Sequence, residues 1–218
     1  INSIKANNLQ FNIVHIIIYY QTNQEKIDYI QKINEKIKIF YKSIFLPINE
    51  SGIYRAINYG LDYIDKNGFY IVIGSGDILT SNKKEALFIY QDKIKLLNYG
   101  LSSNKKINLI RNRYIGMPYC HNAIIFQNNT LRYSKSFSIS SDYDYFLNYL
   151  LKYKIRFEDL NKYINYELKI IFESKSGLSS KSKIRKNYEN FKICYKYFKL
   201  KGILNYFMEM FQRLSLKL

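Results

Sequence analysis

Residues 50–79 read ESGIYRAINYGLDYIDKNGFYIVIGSGDIL. Gly52 opens the stretch. Ile53, Ala56, Ile57, Gly60, Leu61 and Ile64 follow at the spacing of a helix with one apolar face, and Asn67-Gly68 stops it. Phe69 to Ile73 is a continuous apolar run rich in β-branched residues, which predicts a strand covered on both faces. Gly74, Ser75, Gly76 and Asp77 then form a loop with a single carboxylate. In open α/β sheets ligands bind beyond the carboxyl ends of the strands, so Asp77 is expected where a metal or phosphate ligand would sit.

The flanking sequence repeats this alternation. Phe11 to Tyr20 predicts a buried strand by its β-branched density. Gln24 to Ile37 predicts a helix with Ile27, Ile30, Ile33 and Ile37 on one face, and Lys38 to Leu46 a second strand ended by Pro47. Lys83 to Leu97 predicts a further helix, with Ala86, Leu87, Tyr90, Ile94 and Leu97 turned inward. Such alternation predicts an α/β fold, a mainly parallel sheet flanked by helices.

After Gly100 the pattern changes. Short strands are expected at Ile107–Ile110 and Ala123–Phe126, on either side of a Gly116-Met117-Pro118 turn. Ser141-Asp142 reads as the cap of a helix through Leu151, because Ser and Asp oxygens accept the first free amides of a helix. From Ile184 the chain is basic, aromatic and helical in pattern. Phe191, Cys194, Phe198, Leu204, Phe207, Phe211 and Leu214 make one stripe, broken near Gly202. The Ser/Lys-rich stretch 174–186 is the one candidate boundary, dividing a domain of residues 1–180 from a tail of residues 181–218.

Composition narrows the classes. The chain has 218 residues, 47% hydrophobic and 17% aromatic, enough for one substantial core and far from a disordered composition. No apolar run approaches the roughly 20 residues that cross a bilayer. Cys120 and Cys194 lack metal-ligand spacing and read as reduced thiols of a cytoplasmic protein. The net charge of +17 invites a nucleic-acid reading. Against it, the lysines are scattered, Lys, Asn, Ile and Tyr are overused together, and no helix-turn-helix, zinc-finger or RNA-recognition signature is present. No nucleic-acid partner is expected.

Four stretches, in order, 50–79, 117–122, 141–145 and 176–180, resemble family-two glycosyltransferases of the GT-A fold. Glu50 and Gly52-Ile53-Tyr54-Arg55-Ala56-Ile57-Asn58-Tyr59-Gly60 are similar to that family's acidic residue followed by Gly-Ile-Tyr-Asp-Ala-Met-Asn-Lys-Gly. Ser75-Gly76-Asp77 stands where the family has a loop ending in Asp-Asp. Met117-Pro118-Tyr119-Cys120-His121-Asn122 and Ser141-Asp142-Tyr143-Asp144-Tyr145 match later segments. Ser176-Gly177-Leu178-Ser179-Ser180 resembles the Gly-Gly-x-Ser loop near the end of such domains. The resemblance implies a GT-A-like domain that moves a sugar from a nucleotide-sugar donor to a glycan or lipid-linked acceptor in surface-polysaccharide assembly. It also implies that the family's opening strand is missing, since Asn2 to Leu9 resembles only the helix that follows it.

The same resemblance assigns roles. Asp77 would hold a divalent cation, magnesium or manganese, on the donor diphosphate. Glu50 would lie near the donor nucleotide and His121 near the diphosphate or acceptor. Asp142 would be the base that takes the acceptor's proton, with Asp144 as second choice. Gly76 stands in place of the family's first aspartate, and Tyr19-Tyr20 in place of an Asp-Gly pair. Those departures leave a second reading open, a non-catalytic domain used in binding or assembly. The bland accounts are a solvated loop for Asp77 and Glu50, a helix cap for Asp142 and a hydrogen-bonded histidine for His121. The basic tail would either pack on the domain or lie on the inner face of an anionic membrane.

Overall fold

The structure is a computed structural model. It describes residues 14–20, 28, 32, 42–74, 77–81, 92–101, 112–172 and 182–215. Strands β1 (Val14–Tyr20) and β2 (Lys42–Ile48) precede helix α1 (Ile53–Leu61). Then come β3 (Phe69–Ile71), β4 (Ile78–Ser81), β5 (Ile94–Leu101), β6 (Ile124–Gln127), α2 (Ser141–Lys152), β7 (Ile164–Phe172) and α3 (Lys183–Ser215). Segments of 3-10 helix lead into β6 and β7 at His121–Ala123 and Phe157–Tyr163.

The fold is mixed α/β, and its sheets are not mainly parallel. β1 and β2 pair in parallel, apart from a five-stranded sheet of order β3-β6-β5-β7-β4. In that sheet β5–β7 is parallel, whereas β3–β6, β5–β6 and β4–β7 are antiparallel. The alternation that suggested parallel order belongs to the first half of the chain. β6, from the second half, enters between β3 and β5 and runs against both.

Three further expectations change. β3 lies at a sheet edge with only Tyr70 buried, so it is not covered on both faces. Ile94 to Leu97 belong to a strand, not to the end of a helix begun at Lys83. Ile94, Leu96 and Leu97 are all buried, and a short apolar run buried on both faces mimics a helix face in sequence. Pro47 lies inside β2, opposite Tyr19, instead of ending it. Among the described strands β2 pairs only with β1, and a proline's missing N–H is tolerated on such an edge. Asp28 and Lys32 are helical, as expected for 24–37. The rest of that helix, residues 82–91, Asn2–Leu9, Ile107–Ile110, Ser75-Gly76 and Ser176–Ser180 lie outside the described residues.

α1 forms where its spacing predicts and presses on β1 through Gly60. A methyl group there would sit 2.7 Å from Ile18 Cδ1, so the absence of a side chain sets the approach. The helix leaves carbonyls unpaired at its C-terminal end. The side-chain NH2 of Asn128, just after β6, lies 3.3, 2.6 and 3.2 Å from the carbonyls of Leu61, Ile64 and Asp65, two of which its two hydrogens serve at a time. That tie fixes α1 to the larger sheet.

The core lies between this sheet and α2, with Ile124, Phe126, Leu168 and Ile170 facing Phe146, Tyr149 and Leu150. Each such aliphatic or phenylalanine side chain contributes about 1.5–3 kcal/mol on burial. Buried tyrosines fit because their hydroxyls reach carbonyls: Tyr119 donates to Leu97 O at 2.7 Å, Tyr143 to Arg113 O and Tyr149 to Lys93 O.

α3 is two helices. Lys199 is non-helical (φ 53°, ψ −143°), three residues before the break expected near Gly202. Tyr206 Oη donates to Asn187 O at 3.1 Å, and the Phe191 and Phe207 rings lie 6.1 Å apart. A straight helix would hold residues 187 and 206 about 28 Å apart, so residues 183–198 and 200–215 fold back on each other as a hairpin. Among the described residues no helix is long and apolar enough to cross a membrane.

Candidate active site

Antiparallel pairing of β3 and β6 sets Ile71 opposite Ile125, so the chain leaves β3 beside the point where it enters β6. That register brings the 120–123 turn next to the loop that carries Asp77. Asn122 donates its side-chain amide to Asp77 Oδ2 at 2.9 Å, and the Gly74 amide donates to the same oxygen at 3.1 Å. The Asp77 carboxylate is therefore oriented by two donors rather than left in solvent.

His121 sits on the same turn. Its Nε2 lies 2.7 Å from Tyr133 Oη, and Tyr133 and Phe126 flank the ring with centroids at 5.4 and 6.1 Å. Burial pushes its pKa below the usual histidine value, with the Asp142 charge acting in the opposite sense. The preceding residue, Cys120, is a free thiol raised to about 11, first by burial and further by Asp77 and Asp142. Both carboxylates thus act on one turn.

Asp142 stands in the first turn of α2, where a carboxylate favours the helix dipole. Its Oδ1 accepts the Tyr143 amide at 2.9 Å. Tyr54, from the first turn of α1, places its hydroxyl 3.2 Å from the same oxygen and 2.6 Å from Ile139 O. One phenolic proton can serve only one of them at a time. The residue before the helix, Ser140, makes no side-chain cap, and its hydroxyl is the one buried side-chain polar atom without a partner among the described residues.

Two elements pin this corner. Asn58 of α1 exchanges both its amide groups with the backbone of Tyr133, at 2.8 and 2.7 Å. Tyr133 in turn stacks between Tyr54 (5.7 Å) and Tyr145 (4.2 Å). From the other side comes Glu189 of α3. Its carboxylate accepts the amides of Ser138, Ile139 and Ser140 at 3.1, 2.9 and 2.9 Å, and the Ser138 hydroxyl at 3.0 Å. Burial alone would raise the Glu189 pKa, but the three amides outweigh it and the net direction is down.

The geometry separates the sequence candidates. Asp77 and His121 meet at the 120–123 turn, and Asp142 is linked to His121 through Tyr54 and Tyr133. Asp144 is buried and bound by Lys196 Nζ at 2.6 Å and Tyr197 Oη at 3.1 Å, so it anchors α3, whereas Asp142 is only half-buried. Glu50 is exposed and paired with Arg55 at 2.7 Å, outside this hydrogen-bonded set. Sequence reasoning missed Tyr133, Asn122 and Glu189. Asn122 and Tyr54 were within quoted motifs; Glu189 had no signal, being one acid in a basic tail.

Among the described residues no three His, Cys, Asp or Glu side chains form a metal cluster. A hard cation of the magnesium type needs fewer, because it is held through one or two carboxylates together with substrate phosphates. Asp77, with one oxygen already engaged, fits that single-carboxylate role. The sequence matches no protein-family model and no curated protein.

Proposed function

We propose that this chain is a glycosyltransferase with a GT-A-like domain, moving a sugar from a nucleotide-sugar donor to a glycan or lipid-linked acceptor in surface-polysaccharide assembly. The observation that supports the reading is that Asp77 is held by Asn122, the neighbour of His121, while Asp142 is joined to His121 through Tyr54, whose ring stacks on Tyr133. These residues come from three separate stretches, and transfer needs groups of these types near one another.

In the proposed reaction Asp142 takes the proton of the acceptor hydroxyl as that oxygen attacks the anomeric carbon. The bond from that carbon to the donor phosphate breaks, and the diphosphate leaves with the electron pair. A divalent cation, when bound, would neutralise charge on the leaving diphosphate. Asp77 is the residue that would hold it. His121, kept neutral by burial, would donate or accept a hydrogen bond without adding charge. Tyr54 steadies Asp142 and competes for its Oδ1.

A non-catalytic binding domain is the second reading, favoured by Gly76 and Tyr19, where the resembled family has carboxylates. Assay of sugar release and transfer, across nucleotide-sugar donors with magnesium or manganese, separates the two. Transfer supports the enzyme. Donor binding with no transfer to any acceptor supports the binding domain.

A further inference from the structure

A surface helix ordinarily turns polar residues away from its own domain. The α3 hairpin packs Ile193 inward but leaves large apolar side chains on its outer face as well. In residues 183–198 the inward face carries Glu189, Asn190, Ile193 and Cys194, all buried. The outward face carries Ile184, Tyr188 and Tyr195, at 88%, 57% and 53% exposure. In residues 200–215 the inward face is Gly202 and Tyr206. The outward face is Leu200, Leu204, Phe207, Met208 and Phe211, spaced at i, i+4, i+7, i+8 and i+11. Contact of Phe191 with Phe207 joins the two outward stripes into one apolar surface.

Charge says what this surface suits. The only acids of residues 183–215 are Glu189 and Glu209, and both are engaged inward, with Ser138–Ser140 and with Asn112. Arg185 and Lys196 are engaged with Glu189 and Asp144, and other cations point out. Lys192 lies 4.5 Å over the Tyr188 ring and Lys199 5.8 Å over the Tyr195 ring, with Lys183 and Lys201 exposed beside them. A second copy would bring the same cations against these, on a chain of net charge +17. Apolar and aromatic side chains rimmed by lysine suit a layer that is apolar within and anionic at its surface.

We infer that the outward face of the residue 183–215 hairpin docks on an anionic lipid bilayer surface, with Leu200, Leu204 and Phe211 inserted and the lysines at the headgroups. The hairpin lies in the interface and does not span it. This inference does not depend on transferase activity: a catalytically inert chain would bind equally.

The chain contains no tryptophan, so Phe211→Trp installs a single fluorescent reporter. With vesicles of phosphatidylglycerol and phosphatidylcholine mixed, its emission shifts to the blue, and the parent chain co-sediments. Binding weakens with added salt and on pure phosphatidylcholine. Leu204→Asp with Phe211→Asp lowers vesicle affinity at least about tenfold, each change placing a charge where an apolar group inserts. Both positions are solvent-exposed, so circular-dichroism melting of this variant matches the parent. Three results overturn the inference: no association with anionic vesicles, equal binding by parent and double variant, or a parent dimer that the double variant dissociates.

Discussion

Glu189 Oε2 lies 2.9 Å from the amide nitrogen of Ser140, the residue before the helix that carries Asp142. The two are 49 positions apart in sequence. The carboxylate accepts the amides of Ser138, Ile139 and Ser140, the residues that lead into α2, and so ties the hairpin to that loop. The region read from sequence as a separate tail is thus a structural support of the candidate site. Two contacts flank Asp142: Glu189 holds the residues before it, and Lys196 holds Asp144 after it.

Glu189→Ala is expected to lower unfolding stability by about 1–3 kcal/mol, since three amides, that of Ser140 buried, lose a charged acceptor. Glu189→Gln keeps one acceptor oxygen and loses less. Chemical denaturation of the purified chain measures both. A loss below about 0.5 kcal/mol for the alanine variant, the range of an uninvolved surface change, would mean that the hairpin does not hold this loop.

How much of this was legible follows from where the information lies. α1 is local, written in apolar spacing, and the structure gives it as Ile53–Leu61, ending before Ile64 and short of the expected stop at Asn67-Gly68. The place of Asp77 after β3 is likewise local. Sheet order is not. β6 runs antiparallel between β3 and β5 because of pairings across dozens of residues, and Ile124 to Gln127 carries no mark of its direction. The same holds for Ile94 to Leu97, whose apolar run suits either a helix face or a strand buried on both sides. Glu189 is an extreme case: only the fold makes one glutamate among many lysines the ligand of three amides.

Asp77→Ala tests the donor side. If Asp77 holds the cation, a nucleoside diphosphate sugar binds the parent more tightly with magnesium or manganese than without, and the variant loses that increment. Asn122→Ala removes one of the two donors orienting the carboxylate and is expected to give an intermediate result. Isothermal titration with and without metal reads all three proteins. Equal affinities under every condition would remove Asp77 from the role.

His121 gives stability a pH dependence with a definite sign. Its folded pKa lies below the ordinary 6.5 because burial disfavours the imidazolium. Between the unfolded and folded values the unfolded chain binds more protons, so stability falls as the pH falls through that window. Above 6.5 the contribution is fully present. Thermal melting between about pH 5 and 7 should show this slope in the parent and a flatter one in His121→Asn. Identical slopes would mean that His121 is not buried neutral.

Asp142 and Asp144 are two residues apart on one helix, yet they are expected to respond differently. Asp144→Asn exchanges a buried carboxylate bound by Lys196 and Tyr197 for a neutral amide and leaves the ammonium without its counter-charge. A stability loss of about 1–3 kcal/mol follows. Half-exposure of Lys196 lets water take up its charge and keeps the loss at the lower end. Asp142→Asn keeps an oxygen able to accept the Tyr143 amide and the Tyr54 hydroxyl, so its stability stays within about 1 kcal/mol of the parent. If Asp142 is the base, its variant binds donor normally while turnover falls by about 100-fold or more, because a base acts on the transition state and not on the bound donor. Tyr54→Phe frees Asp142 Oδ1 of a competing hydroxyl and is expected to change turnover less than Asp142→Asn does. Sugar transfer measured beside denaturant melts separates these effects. Full turnover in Asp142→Asn would exclude it as the base, and the lost activity of Asp144→Asn, if any, should then track its lost stability.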